Sequence, residues 1–264
     1  INGEWVDGEA GTTIDVLNPY DNSLITKIAE ATEADVDKAV AAAKAALDVW
    51  KAFSASERGH FLLKLADKIE EHAEELAQIE TMDTGHPIRD TRNLDVKRTA
   101  YCFRYFGGMA DKLEGSVIPV DSGFLNYMDR QPIGVVGQIV PWNFPLMFTS
   151  WKMAPALAAG NTVVIKPAEL TPLSTLRIAD LMMEVGIPAG VVNVLVGKGR
   201  IAGQHMAEHE DIGKICFTGS TPVGQKIIEA SAKTIKKVQL ELGGKGANII
   251  FADANIPAAV GGSA

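Results

Sequence analysis

A carboxylate followed by a flexible turn is the feature of this 264-residue sequence with the clearest chemical potential. Glu241 lies at the end of the strand-like run Val238–Leu242, and Gly243 and Gly244 follow it. Because glycine lacks a Cβ, the backbone can turn sharply there and a ligand can approach closely. A carboxylate in this position can act as a general base at the mouth of a cleft. The same residues seen alone are also compatible with a surface glutamate before an ordinary turn.

Two further sets of polar residues follow apolar runs. In Pro141–Pro145 the two prolines restrict the backbone around Asn143. Its side-chain amide would therefore be held in place, where it could stabilise a developing oxyanion; a helix cap is the alternative. Lys166 and Glu169 follow the next run, three residues apart, and they would either bind ribose hydroxyls or form a plain surface pair.

Two glycine-containing turns are candidates for binding phosphate. Gly197–Gly203 is similar to a dinucleotide-binding turn, but its last glycine comes one residue too late for the Gly-x-Gly-x-x-Gly pattern. Phe217–Gly224 contains two glycines five residues apart, and Pro222 is placed to begin a helix whose free amides would favour a phosphate. Gln225 stands where a P-loop requires lysine, which argues against a kinase or another NTPase.

A parallel α/β sheet would bring these residues together. Beyond residue 132, apolar runs alternate with helical patterns, and strands are predicted at 133–140, 161–165, 191–196, 214–217 and 236–242. Ligands bind such sheets at the carboxyl ends of the strands. We therefore predict a doubly wound, Rossmann-like α/β fold in which the candidate residues share one edge of the sheet.

The first half of the chain is predicted to contain a hairpin, a helical layer and an arm. The patterns indicate strands at 13–17 and 24–28 and helices at 32–50, 54–85 and 92–113. Residues 114–132 predict two strands, 117–120 and 124–128, around a turn. A two-stranded arm is marginally stable in water, so we expect it to lean on another subunit or domain.

The composition limits the classes of partner. A net charge of -8 and the lack of a basic patch argue against nucleic acid and anionic membranes, which attract cations. No apolar run reaches the length of a membrane span, and we expect a cytoplasmic protein. Cys102 and Cys216 lie in apolar surroundings without Cys-x-x-Cys spacing, so we interpret them as buried small residues and expect no metal site.

Four motifs, in their order along the chain, resemble the aldehyde dehydrogenase superfamily: Pro141–Pro145, Lys166–Glu169, Phe217–Thr221 and Leu240–Lys245. The resemblance covers essentially the whole chain and is closest to the broad-substrate, NAD-preferring members. It implies oxidation of a small aldehyde by attack of a cysteine thiolate, hydride transfer to NAD and hydrolysis of the resulting thioester.

The resemblance also implies a role for each matching residue. Asn143 would supply the side-chain half of the oxyanion hole, and Glu241 would be the general base that activates the deacylating water. Glu169 beside the ribose would repel a 2′-phosphate, so NAD is expected in preference to NADP. The residues implied in cofactor binding are Ile139, Pro141, Trp142, Lys166, Glu169, Gly199, Gly219, Ser220 and Leu242.

The same resemblance divides the chain into three parts. We expect an NAD-binding domain at 1–113 and 133–243, an oligomerisation arm at 114–132, and the start of a truncated catalytic domain at 244–264, with a strand at 247–251. The nucleophilic cysteine would lie beyond residue 264, so we expect the chain alone to be inactive and the full-length form to be a homodimer or homotetramer. The alternative is a catalytically inactive, truncated dinucleotide-binding module.

Overall fold

The amino-terminal part is a small hairpin followed by helices in the computed structural model, which describes residues 1–263. Strands β1 (Thr13–Leu17) and β2 (Leu24–Ala29) pair antiparallel, as predicted. The helices that follow are α1 (Glu33–Ala52), α2 (Ala55–Glu71), α3 (Ala73–Thr84), the short α4 (Ile88–Asp90) and α5 (Val96–Met109). Thr32 and Ser54 begin α1 and α2 with capping boxes, which satisfy free backbone amides of the first turn.

Two of the predicted helices are interrupted. The helix predicted at 54–85 is wrong as a single element, because His72 leaves helical geometry (φ −98°, ψ 20°) and its ring bonds the carboxylate of Glu75 at 2.7 Å. The helix predicted at 92–113 begins instead with a π-helical turn, Thr91–Asp95, and ends in a 3₁₀ turn, Ala110–Lys112. Within the wider π turn Asp95 is buried, and its carboxylate meets the ring of His86.

The predicted arm is present but its paired segment is short. Strands β3 (Ser116–Ile118) and β4 (Asn126–Met128) pair antiparallel. No third strand within residues 1–263 covers them, so their side chains are exposed. The strands predicted at 117–120 and 124–128 are therefore too long, because a two-stranded ribbon has few contacts to hold its ends together.

A five-stranded parallel sheet forms the centre of the fold. Its strands are β5 (Val135–Ile139), β6 (Thr162–Lys166), β7 (Val192–Val194), β8 (Ile212–Gly219) and β9 (Lys237–Leu242). Their spatial order is β7-β6-β5-β8-β9, with every neighbouring pair parallel. The chain thus adds β6 and β7 on one side of β5 and then returns to add β8 and β9 on the other. This reversal confirms the predicted doubly wound architecture.

Helices cover both faces of the sheet. They are α6 (Pro145–Ala158), α7 (Leu173–Glu184), α8 (Gln204–Glu208) after a π turn at Gly199–Gly203, and α9 (Thr221–Ala232). Successive residues of β6 face opposite sides: Val163 and Ile165 pack with the α2, α5, α6 and α7 layer, whereas Val164 packs with the α1 and α9 layer. No helix in the described part of the chain is both long and apolar enough to cross a membrane.

The last residues do not continue the sheet. Residues 243–255 are irregular and are followed by helix α10 (Ile256–Ser263). The strand predicted at 247–251 is wrong for this structure. A strand needs a neighbour for its backbone amides and carbonyls, and no strand of residues 1–263 pairs with this segment.

Candidate active site

A cleft of about 620 Å³ opens at the carboxyl edge of the sheet, between β5 and β8. The pairing register aligns the strand ends, because Ile139 of β5 lies opposite Lys166 of β6 and Phe217 of β8. This is the point where the strand order reverses, the usual place for a ligand in a doubly wound sheet. The cleft is lined by eight of the nine residues predicted to bind the cofactor: Ile139, Pro141, Trp142, Lys166, Glu169, Gly199, Gly219 and Ser220.

Lys166 and Glu169 form a partly buried pair. The Lys166 side chain is 2% exposed, and its Nζ donates to the carbonyl oxygen of Pro167 at 2.9 Å and to Glu169 Oε2 at 3.4 Å. Burial lowers the pKa of Lys166, and the Glu169 carboxylate opposes that shift. An ammonium group has three N–H donors, so one remains for a ligand hydroxyl while Glu169 offers acceptors. The alternative of a plain surface pair does not fit a buried lysine.

The turn after β8 leaves backbone amides available. Ser220 is the N-cap of α9 but makes no side-chain capping bond, and uncapped amides at a helix N-terminus bind anions. A Cβ added to Gly219 would lie 2.4 Å from the ring of Phe217, so a larger residue there would require this ring to move. At Gly199 across the cleft, an added Cβ would meet no atom within 4 Å, which shows open space for a ligand.

Two cations in the cleft were missed by the sequence reasoning. Arg200 and Lys226 both line it, and both are exposed. Their charges would favour a phosphate-bearing ligand. Arg200 directly follows Gly199, so its place in the sequence beside a predicted cofactor residue could have identified it.

Glu241 lies in a neighbouring cavity of about 900 Å³. In the pairing of β8 with β9, Glu241 lies opposite Thr218 and Leu242 lies opposite Gly219. Thr218 lines both the cleft and this cavity, so Glu241 is one strand away from the candidate phosphate turn. Leu242 lines the cavity rather than the cleft, and its cofactor contact stays a prediction.

The same cavity contains a buried thiol and two lysines, Lys152 and Lys214. Burial lowers the pKa of Lys152, and the nearby Glu241 carboxylate opposes that shift. Burial raises the pKa of Cys216 and raises that of Cys102 to about 11, so both thiols stay protonated near neutral pH. The interpretation of both cysteines as buried small residues is confirmed.

Asn143 is half-buried in the loop between β5 and α6. The N-cap of α6 is Phe144, without a side-chain capping bond, and within residues 1–263 the Asn143 side chain has no hydrogen-bond partner. The helix-cap alternative is therefore not what the structure shows, and the amide is available to a ligand. Asn143 lines neither the cleft nor the Glu241 cavity.

A buried carboxyl that the sequence reasoning missed supports this loop. Glu80 is fully buried, and its Oε1 accepts from the backbone N–H of Leu146 in the first turn of α6 at 3.3 Å. The ring of Phe144 packs edge-on against His86 with centroids 4.8 Å apart. Glu80 follows Leu76 by four residues on the apolar face of α3, a spacing that could have identified it.

Glu80 makes the free energy of unfolding depend on pH. Burial raises its pKa from 4.5 to about 8. Between these values the folded chain binds more protons than the unfolded chain, so stability falls as pH rises. Glu80→Gln keeps an acceptor for Leu146 but removes this proton uptake. We expect the free energy of unfolding of Glu80→Gln to fall less steeply with pH than that of the parent. In that window the two slopes should differ by about 1.4 kcal/mol per pH unit.

Urea unfolding at several pH values between about 5 and 8 measures this difference. Glu229→Gln, an exposed carboxylate on α9, is the matched control and should follow the parent chain. If the free energy of unfolding fell equally steeply with pH in the parent and in Glu80→Gln, Glu80 would not be the group that takes up the proton.

Comparison with known proteins identifies a family for this chain. The model of the Aldehyde dehydrogenase family matches residues 5–264. An aldehyde dehydrogenase of Aspergillus niger is 52% identical over 262 residues, which are 98% of this chain and 52% of that protein.

Solved structures are similar over the whole chain. PnpE, a protein from Pseudomonas sp. WBC-3, was solved in complex with nicotinamide adenine dinucleotide and gives a TM-score of 0.99 at 71% identity. The NAD+ complex of an aldehyde dehydrogenase from Bacillus cereus gives 0.98 at 48% identity. Each match covers 100% of this chain and 54% of the other, so the chain spans about half the length of these relatives.

Proposed function

The chain belongs to the aldehyde dehydrogenase family, and we propose that it is the cofactor-binding half of an enzyme that oxidises an aldehyde to a carboxylic acid with NAD. One observation carries the proposal. The cleft that gathers eight predicted cofactor residues lies at the same sheet edge as Glu241, with Thr218 lining both sites. A hydride acceptor and a general base would thus lie side by side.

The residues of the cleft fit a dinucleotide. Lys166 and Glu169 offer a donor and acceptors for ribose hydroxyls, the first turn of α9 offers amides for a pyrophosphate, and the space above Gly199 is open. Two similar solved structures are NAD complexes. NAD would supply the acceptor for the hydride that leaves the substrate carbon.

Asn143 and Glu241 have separate roles in the proposed reaction. A cysteine thiolate outside this chain attacks the aldehyde carbon to form a thiohemiacetal, and the Asn143 amide donates to the oxygen on which negative charge develops. Once the carbon has reached the oxidation level of a thioester, Glu241 accepts a proton from the attacking water. The carbon–sulfur bond then breaks, which gives the carboxylic acid and restores the thiolate.

Glu169 should set the preference between the two dinucleotides. Its carboxylate side chain is 38% exposed at the cleft and would repel a 2′-phosphate. We expect calorimetric titration to show that NAD binds more tightly than NADP. Glu169→Gln should lower the ratio of the NADP dissociation constant to the NAD dissociation constant by roughly tenfold. Glu229→Gln, outside the cleft, should leave the ratio unchanged. NADP binding more tightly to the parent chain would remove Glu169 from this role.

The 264-residue chain by itself should not oxidise aldehydes. Both of its cysteines are buried with raised pKa values, so neither suits the nucleophile. This observation also favours the second candidate function, an inactive dinucleotide-binding module. We expect no NADH absorbance when the purified chain is mixed with NAD and an aldehyde, although NAD binds; turnover would contradict the proposal.

The arm at 114–132 is suited to contact with another subunit. The arm exposes large apolar side chains, among them Val117 (73%), Phe124 (82%) and Leu125 (76%). Such a surface is typical of a protein–protein contact, which supports a homodimer or homotetramer of the full-length protein. We propose that this enzyme is cytoplasmic and that its substrate is a small aldehyde.

A further inference from the structure

A groove of about 440 Å³ lies between α5 and α6, beside the cavity that contains Glu241. Tyr101 and Tyr105 stack on one wall with centroids 6.3 Å apart, and Trp151 forms part of the other. These three rings are 60%, 50% and 50% exposed. A concave surface of this size with exposed aromatic rings is suited to a small, flat organic molecule.

Arg98 is the cation of this groove. It lies on the same face of α5 as Tyr101 and Tyr105, at spacings of three and seven residues, and it lines the groove. Within residues 1–263 its guanidinium makes no ion pair or hydrogen bond. The nearby Arg92 and Arg104 are different, because Glu74 holds the first and Glu70 with Asp67 hold the second. Arg98 therefore presents free donors to whatever enters the groove.

The groove shares a wall with the cavity that contains Glu241. Phe106 and Trp151 line both spaces, and Phe148 of the cavity packs edge-on against Trp151 with centroids 5.2 Å apart. Because the two spaces share this aromatic wall, the groove lies beside the cavity in which the reacting carbon of a substrate would face Glu241. A guanidinium binds a carboxylate through two parallel hydrogen bonds.

We infer that the groove selects aldehydes that carry a carboxylate at their other end, joined to the aldehyde by a flat, apolar linker. Arg98 binds the carboxylate, while Tyr101, Tyr105 and Trp151 contact the linker. This inference rests on the proposed function, because it assigns the substrate class of that same site.

A matched pair of substrates tests it in the full-length enzyme. The pair is 4-formylbenzoate and its methyl ester, which differ in charge but share a planar skeleton. Arg98→Met should lower kcat/KM for 4-formylbenzoate by roughly tenfold, mostly through KM, and should change that for the ester little. Arg98→Lys should recover part of the loss. Arg89→Met, an exposed arginine paired with Asp90, is the control and should behave as the parent.

The outcomes separate this inference from the proposed function. Equal effects of Arg98→Met on both substrates, or no effect on 4-formylbenzoate, would overturn the inference while leaving aldehyde oxidation intact. If no aldehyde yields NADH, the proposed function fails, and calorimetric titration of 4-formylbenzoate decides the groove by itself. Binding that Arg98→Met weakens and Arg98→Lys retains supports the groove; binding insensitive to Arg98, or no binding, overturns it.

Discussion

Glu241→Gln should lower the steady-state turnover of the full-length enzyme by roughly 10²- to 10⁴-fold. Glutamine has nearly the same shape but cannot accept a proton, so the water that cleaves the thioester is no longer activated. The preceding steps do not require Glu241 as a base in the proposed mechanism. We therefore expect the first NADH to form in a burst close to one equivalent, followed by a very slow steady rate.

Rapid mixing with NAD and aldehyde, followed by NADH absorbance, measures both phases. Glu229→Gln is the matched control, because it makes the same chemical change at an exposed position on α9. Loss of the burst together with turnover would assign Glu241 to an earlier step. Unchanged turnover would exclude it as the base, and Glu241 would then be the surface carboxylate that its local sequence also permits.

In the full-length enzyme, Asn143→Ala should reduce kcat by roughly 10²- to 10³-fold, the usual cost of removing one donor to an oxyanion. The amide is half-buried and has no partner in the described part of the chain, so its loss should cost little stability. The expected signature is therefore a normal unfolding midpoint, normal NAD affinity and a smaller NADH burst rate. The contrast with Glu241→Gln is that the defect falls on the first turnover.

Burst kinetics and thermal unfolding of Asn143→Ala provide the measurements. Asn93→Ala is the control, since Asn93 is exposed and its amide bonds only a local helix carbonyl and Lys97. A burst rate equal to that of the parent would remove Asn143 from the oxyanion hole. A large drop in the unfolding midpoint would indicate a structural role for its side chain.

The sheet and its cofactor edge could be predicted because their signals are local. Continuous apolar runs of about five residues form buried parallel strands, and polar residues that follow such runs must emerge at the carboxyl edge. Ile139, Lys166 and Phe217 accordingly end neighbouring strands in register. The strand predicted at 247–251 was wrong because an apolar pattern does not show whether a partner strand exists, and no strand of residues 1–263 pairs with this segment.

The helical layer shows where local patterns are insufficient. A continuous apolar periodicity predicted one helix over 54–85, but it could not reveal the break at His72. It also could not show that Glu80 turns inward to meet the amide of Leu146, 66 residues further on. Such contacts depend on how α3 packs against the start of α6, which no short stretch of sequence specifies.

The sequence by itself determined the family resemblance, the doubly wound sheet and the residue types at the candidate site, because strand patterns and motifs are properties of neighbouring residues. Only the tertiary structure decided which of those residues share a space. It placed eight cofactor candidates in one cleft, put Glu241 and Leu242 in the adjoining cavity, and left Arg98 without a partner among residues 1–263 beside the aromatic groove. Strand register and helix packing set these distances, and both arise from contacts between residues far apart in the chain.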